Sequence, residues 1–255
     1  MFDLKKYGHD MTPYTPAKLV EVGGNSTETL TFQGPSSAAF GITRVILSAQ
    51  TPRDIKVTVE AASGDTTHWK DVIAKAVQQY FAGHSLPVPL LLPRSEKAKV
   101  TLENTTAGAE KVGVQLEGLH GEPLKQRKRE LGLSEDHSEL SFFYGTSSVP
   151  NGASLVDLGV NYVKRKKRAF DRFAVAADAD KPHDLRARLV EANSAIRLLS
   201  TFDQIRRSFA DGRRAPTPYK TEPYGAFSVE VTNEDSSTHD VSFLAASLPP
   251  SFYEA

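Results

Sequence analysis

Residues 86–104 read LPVPLLLPRSEKAKVTLEN, and residues 215–233 read APTPYKTEPYGAFSVEVTN. Each opens on prolines at P-x-P spacing, adds a further proline, and runs into an apolar–polar alternation that ends on asparagine. Proline fixes φ and donates no backbone hydrogen bond, so the first part of each stretch reads as a rigid crossover leading into an edge strand. A period of two reads as a strand with one buried face. That face is Ala98, Val100 and Leu102 in the first stretch and Phe227, Val229 and Val231 in the second. A joint written twice points to a unit written twice.

Other landmarks follow the same shift of about 130 residues. Phe40 falls on Phe170, Thr51-Pro52-Arg53-Asp54-Ile55 on Lys181-Pro182-His183-Asp184-Leu185, and Phe81-Ala82 on Phe209-Ala210. Leu30 and Phe32 fall on Val160 and Tyr162, and Val45 and Leu47 on Val175 and Ala177. Past the prolines, Val100, Asn104, Val112 and Leu119 match Val229, Asn233, Val241 and Leu248. In THWKDVIAKAVQQYFAG (67–83) the apolar residues from Trp69 to Phe81 recur at helical spacing. Asp65, Thr66 or Thr67 could cap this helix, and Gly83 stands at its end. SAIRLLSTFDQIRRSFADG (194–212) is its counterpart, closed by Gly212. The expected fold is mainly β: two tandem similar β-sandwich units, each with about six clear strands and one inserted amphipathic helix. The first unit spans 1–120 with an N-terminal arm, 121–137 form a charged linker, and the second unit spans 138–255 with a C-terminal tail.

Lys plus Arg and Asp plus Glu number 31 each, so the formal net charge is zero. That balance argues against a dedicated nucleic-acid binder and leaves little repulsion between copies. With no cysteine, disulfides, thiolate nucleophiles and Cys-based metal sites are excluded. No apolar run approaches the roughly 20 residues of a membrane span. The N-terminal stretch has no apolar core of a secretory signal, so synthesis in the cytoplasm is expected.

The chain has no G-x-S-x-G elbow, phosphate-cradling G-x-x-x-x-G-K-[ST] loop or G-x-G-x-x-G turn. Its seven histidines are scattered without metal-ligand spacing. Asp178, Asp180 and Asp184 read as a solvated turn, because the further ligands and glycine of a calcium loop are missing. No catalytic, cofactor-binding or metal-binding residue is expected. Two basic runs remain. Lys125, Arg127, Lys128 and Arg129 lie among acidic residues and read as linker. Lys164, Arg165, Lys166, Lys167 and Arg168 have no acidic neighbour before Asp171, and are the candidate contact for nucleic acid or an acidic partner.

The paired segments THWKDVIAKAVQQYFAG and SAIRLLSTFDQIRRSFADG, with the paired P-x-P strands, give an arrangement that resembles the tandem or double jelly-roll coat proteins of bacterial viruses. The resemblance is architectural and covers almost the whole chain. It implies eight strands per unit, the additional ones near Tyr14 and Leu90 and near Tyr144 and Tyr219. It further implies a non-enzymatic capsid protein located in the virion and made in the host cytoplasm. Copies would form a homo-oligomer, as trimers whose six sandwiches tile a shell. They would meet other virion proteins and, through the basic loop, packaged nucleic acid. An accessory decoration, neck or tail protein is an alternative within that class. A tandem carbohydrate-binding or adhesin module is an alternative from another, with Tyr219, Tyr224 and Tyr253 as its loop aromatics. The tail LPPSFYEA would suit docking on a neighbour or packing on its own chain.

Overall fold

A computed structural model describes residues 14–34, 40–61, 66–92, 96–130, 140–181, 183–191, 195–210 and 213–253. The N-terminal half forms β1 (Ala17–Val22), β2 (Thr27–Gln33), β3 (Phe40–Ser48), β4 (Ile55–Ala61), β5 (Thr67–Ile73), α1 (Ala74–Phe81), β6 (Leu90–Leu92), β7 (Lys97–Asn104) and β8 (Glu110–His120). They pair as two antiparallel sheets, in the orders β1-β8-β3-β6 and β2-β7-β4-β5. Alternation explains the facing: Ile55, Val57, Val59 and Ala61 of β4 are buried while the residues between them are half-buried. Pro89 directly precedes β6, a three-residue edge strand paired to Phe40–Ile42. The regular strand after the prolines, β7, is central, held between β2 and β4. The prolines therefore flank the edge strand and do not lead directly into the regular one.

Helix α2 (Gly121–Glu130) occupies the first part of the expected linker, and the rest of that linker lies outside the described residues. The C-terminal half forms β9 (Ser141–Val149), β10 (Val156–Asp157), β11 (Arg168–Phe170), β12 (Phe173–Ala177), β13 (Leu185–Glu191), β14 (Ala195–Thr201), α3 (Phe202–Ser208), β15 (Tyr219–Thr221), β16 (Ser228–Asn233) and β17 (His239–Ser247). Their sheets run β12-β17-β9, β11-β15 and β10-β16-β13-β14. An Ala169–Leu248 bridge ties β11 to the end of β17, so β11 and β12 act as one strand interrupted at Asp171-Arg172. Counted that way, the pairing order of the second half repeats that of the first. A core of aromatic rings, with Phe143, Phe170, Phe173, Phe227 and Phe243 in mutual contact, fills the second half.

The helix expected over 67–83 is a strand followed by a helix, and so is its counterpart. On β5 the register steps from Val57↔Val72 to Val59↔Trp69, three residues against two. This β-bulge turns the usual two-residue spacing of inward side chains into the three-residue spacing of a helix. Trp69 and Val72 are both buried strand residues. The true start of α3 is marked by Thr201: its Oγ1 accepts from Gln204 N at 3.3 Å, and Gln204 Oε1 accepts from Thr201 N at 3.0 Å. That capping box is written in the sequence as T-F-D-Q. Gly83, two residues beyond α1, has φ +63° and supplies the expected left-handed stop. Asp65 and Gly212 lie outside the described residues.

Register also moves several of the expected correspondences by two residues. Val45 pairs with Leu116 and Phe173 with Ala245, and Ile42 pairs with Leu90 as Phe170 does with Tyr219. The counterparts are thus Val45–Phe173 and Ile42–Phe170. Leu158 N donates to Val229 O at 2.9 Å, which makes Leu158 the counterpart of Leu30. A slip of two keeps every side chain on its face, so alternation alone does not register it.

Asn104 and Asn233 keep their correspondence, opposite Ile55 and Leu185. Both are buried. Asn104 Nδ2 donates to Val22 O at 3.2 Å and Gly108 O at 2.7 Å, while its Oδ1 accepts from Thr106 N at 3.0 Å. Asn233 Nδ2 donates to Val149 O, Pro150 O and Ser237 O at 2.8–3.1 Å, and its Oδ1 accepts from Asp235 N at 2.9 Å. Each amide ties the last hairpin of its half to the end of that half's first strand. Asn104→Ala and Asn233→Ala are each expected to cost about 2 kcal/mol, because buried backbone carbonyls lose their donor. Urea unfolding of the single and double variants checks this, with near-additive losses expected.

Candidate functional site

The five basic residues singled out by sequence do not act as one patch. Lys164, Arg165, Lys166 and Lys167 are exposed, whereas Arg168 is buried in β11 opposite Thr221. Lys167 Nζ lies 2.8 Å from Glu222, an acid that only the tertiary fold brings to the loop. Lys164 sits over the Tyr162 ring at 5.9 Å.

Of the aspartates in DADKPHD, Asp178 meets His239 and Asp180 meets Arg53 of the other half. His239 is buried, with Nδ1 3.0 Å from Asp178 and Nε2 2.8 Å from Asp235, and Lys181 lies 3.3 Å from Asp235. The His239 contact first, and Lys181 after it, hold the Asp235 carboxyl down at about 2. In the first half Glu110 occupies the position of His239, and accepts from Thr51 N at 2.9 Å and Thr51 Oγ1 at 3.0 Å. The two halves tie down the same turn with opposite polarity. Among the described residues no group of three His, Asp or Glu side chains is placed to hold a metal ion.

The most heavily built polar and apolar site is the junction between the halves. The outer face of sheet β12-β17-β9 carries Ala174, Ala176, Leu244, Ala246 and Phe142, all buried in one core with the N-terminal half. Edge strand β5 and helix α1 cover it. Trp69 meets the Phe142 ring at 4.8 Å. The bulge at Asp71 presents its carbonyl outward, where Thr146 Oγ1 donates to it at 2.8 Å, and Ile73 N donates to Ser242 Oγ at 2.9 Å. Ion pairs Lys56–Asp240 at 2.9 Å and Arg53–Asp180 at 2.8 Å rim the contact.

At its centre is Arg172, 1% exposed. Its Nη2 donates to Gln79 O at 3.0 Å and Ala82 O at 3.1 Å, the carbonyls at the C-terminal end of α1, and Nη1 donates to Arg213 O at 3.3 Å. A cation there satisfies orphan carbonyls and opposes the negative end of the helix. Burial lowers the Arg172 pKa and raises that of neighbouring Asp171, whose carboxylate is 3.2 Å from Arg214. The tail packs on this same core through Phe252 and Tyr253, so in the structure it docks on its own chain. Sequence reading missed Arg172 because nothing in its neighbourhood marks it; only the fold carries it to the end of α1.

Two histidines also sit at the junction. Burial holds His68, against Phe142, at about 4 and His84, against Tyr80, at about 3. Their folded pKa values lie below the unfolded value near 6.5. Above that pH both states are neutral and the stability is whole. Below it the unfolded chain takes up protons that the folded chain refuses, so stability falls down to the folded values. A loss of roughly 1.4 kcal/mol per pH unit for each histidine is expected between about pH 6 and 4. Chemical denaturation across this range checks it, and His84→Gln should remove about half of the slope.

No family model matches the chain, and neither does any curated protein. Among solved structures, it is similar to PNGase F, a glycosylasparaginase from Flavobacterium meningosepticum, with TM-score 0.41 and 10% identity over 94% of this chain and 96% of that one. It is also similar to a chain of the atomic structure of Sulfolobus turreted icosahedral virus, at 12% identity and TM-score 0.51, covering 95% of this chain and 92% of that chain. The second likeness extends over nearly both chains and identifies a shared fold.

Proposed function

We propose that this chain is a virion structural protein, a coat subunit made of two jelly rolls in tandem. The observation that carries the reading is the strand order β1-β8-β3-β6 with β2-β7-β4-β5, met again in the second half. Eight strands in two such sheets make a jelly roll. The first unit runs to about residue 120 and the second starts near 138, with α2 in the linker. The likeness to the turreted-virus chain supports the reading. The extensive packing of one half on the other supports it as well, since broad buried faces suit a mechanical role. In this role affinity comes from subunit interfaces, and copies of the chain are its main partner. Lys164, Arg165 and Lys166 would meet packaged nucleic acid or an acidic subunit surface, while Lys167 and Arg168 serve the loop itself.

The test is the mass of the purified protein across concentration, with electron micrographs of the same samples. A defined oligomer, or a shell, is the expected result; a monomer at every concentration overturns the reading. For the loop, Ser at 164, 165 and 166 should leave assembly intact and weaken retention of nucleic acid, with the largest difference at low salt and a shallower salt dependence in the variant.

A further inference from the structure

Helices α1 and α3 hold matching places in the two halves, and they differ in charge at their second residue. In α3 that residue is Asp203, 2.7 Å from both Arg206 and Arg207, an acid at the positive end of the helix. In α1 it is Lys75, and the first turn of that helix carries no acid. A cation in the first turn opposes the helix dipole. Lys75 is also half-buried, and no carboxylate among the described residues reaches it as an ion-pair partner. Burial first, then the charges of Arg53 and Arg206, lower its pKa from the ordinary lysine value, and Asp180 offsets only part of this. Burial, dipole and neighbouring charge all weigh against a lysine at this place.

What surrounds Lys75 accounts for it. It lines a crevice where α1 of the first half and α3 of the second both pack on β12. Arg53 and Lys75 come to the crevice from the first half, Lys181 and Arg206 from the second. Among the described residues that line it, Asp180 is the one acid, and Arg53 holds it at 2.8 Å. Arg206 and Lys181 have acids of their own, Asp203 at 2.7 Å and Asp235 at 3.3 Å, so Lys75 brings the unbalanced charge. Cations drawn together across a junction repel unless an anion lies between them. About ≈ 30 Å³ of the crevice is open to the centres of oxygen-sized atoms. That is the scale of one tetrahedral oxyanion, and too little for a sugar or a base.

We propose that this crevice binds phosphate, as the inorganic anion or as the terminal phosphate of a phosphomonoester, held by Lys75 together with Arg53, Arg206 and Lys181. The two guanidinium groups supply planar forks that match phosphate oxygens, and the two ammonium groups supply point charge. The bound anion balances Lys75 and removes the repulsion between the halves. A phosphodiester inside a nucleic-acid chain carries a sugar on each side and is too bulky for so narrow a crevice, whereas a phosphorylated strand end is not. Arg172 ties the C-terminal end of α1 to the second half, and the anion ties the N-terminal end. The site lies within one copy and stands whether or not copies assemble.

Scanning calorimetry at constant ionic strength tests the site. About 10 mM inorganic phosphate is expected to raise Tm by roughly 3 °C or more, since a ligand held only by the folded state stabilises it. Lys75→Gln should abolish that rise and, without phosphate, should melt above the unsubstituted protein, because the opposed charge is gone. A lysine that serves the fold alone gives the reverse, and a lower Tm for the phosphate-free variant overturns the proposal. Arg206→Gln, which leaves Asp203 to Arg207, should weaken phosphate binding roughly tenfold in isothermal titration. A 5′-phosphorylated oligonucleotide and its unphosphorylated twin separate the sources. A rise with inorganic phosphate and with the phosphorylated strand supports a site for terminal phosphates, and a rise with inorganic phosphate alone supports one for the free anion. An unmoved Tm with both probes, equal rises with the two strands, or the same rise in Lys75→Gln overturns the proposal.

Discussion

Replacing Arg172 by leucine is expected to lower the stability of the protein by about 3 kcal/mol. The substitution removes the shared donor of three backbone carbonyls, Gln79, Ala82 and Arg213, and leaves Asp171 with Arg214 as its nearest cation. Stripping one partner from a buried charged network typically costs this much, because the acceptors stay desolvated. For a chain of this size the loss corresponds to a fall in Tm of roughly 6–12 °C. Arg172→Lys should recover only part of it, since an ammonium cannot reach the carbonyls on both sides with a planar fork. Differential scanning calorimetry reads the result directly. A change in Tm of under about 1 °C for the leucine variant would show that Arg172 does not hold the halves together.

Trp69→Ala should be at least as severe, about 3–5 kcal/mol, because a fully buried indole leaves a cavity at a place where two sheets and a helix converge. Trp69→Phe separates volume from chemistry. The indole Nε1 is buried without a hydrogen-bond partner, so phenylalanine removes an unsatisfied donor while keeping most of the contact with Phe142 and Phe81. It should cost less than half of the alanine loss in urea denaturation. Equal losses for the two variants would count against the burial of this nitrogen. Trp69 is the only tryptophan, so its fluorescence also reports on the junction during acid titration of His68 and His84.

Much of the fold is legible in the residues. Alternation in IKVTVEA gives β4 and its buried face, the P-x-P joints lead into the short edge strands β6 and β15, and Asn104 and Asn233 mark matching turns. The T-F-D-Q capping box is legible too, and it places the start of α3 at Phe202, well inside the 194–212 segment that apolar spacing alone suggests. The error over β5 has a definite cause, a bulge that gives a strand the spacing of a helix. The basic loop was legible as a run of charge, but Glu222 reaches Lys167 only through the pairing of β11 with β15.

By itself, then, the sequence determined that one mainly β plan is written twice, with which residues face inward, because strand period and turn chemistry are local properties of the chain. Register was decided by the tertiary structure, since a two-residue slip leaves every side chain on its face and alters no local preference. So was the identity of the covered face. Thr146 and Leu19 occupy matching positions, yet the polar residue is enclosed and the apolar one exposed. That outcome depends on β5 and α1 meeting a sheet formed more than sixty residues later in the chain, a contact that no short stretch of sequence encodes.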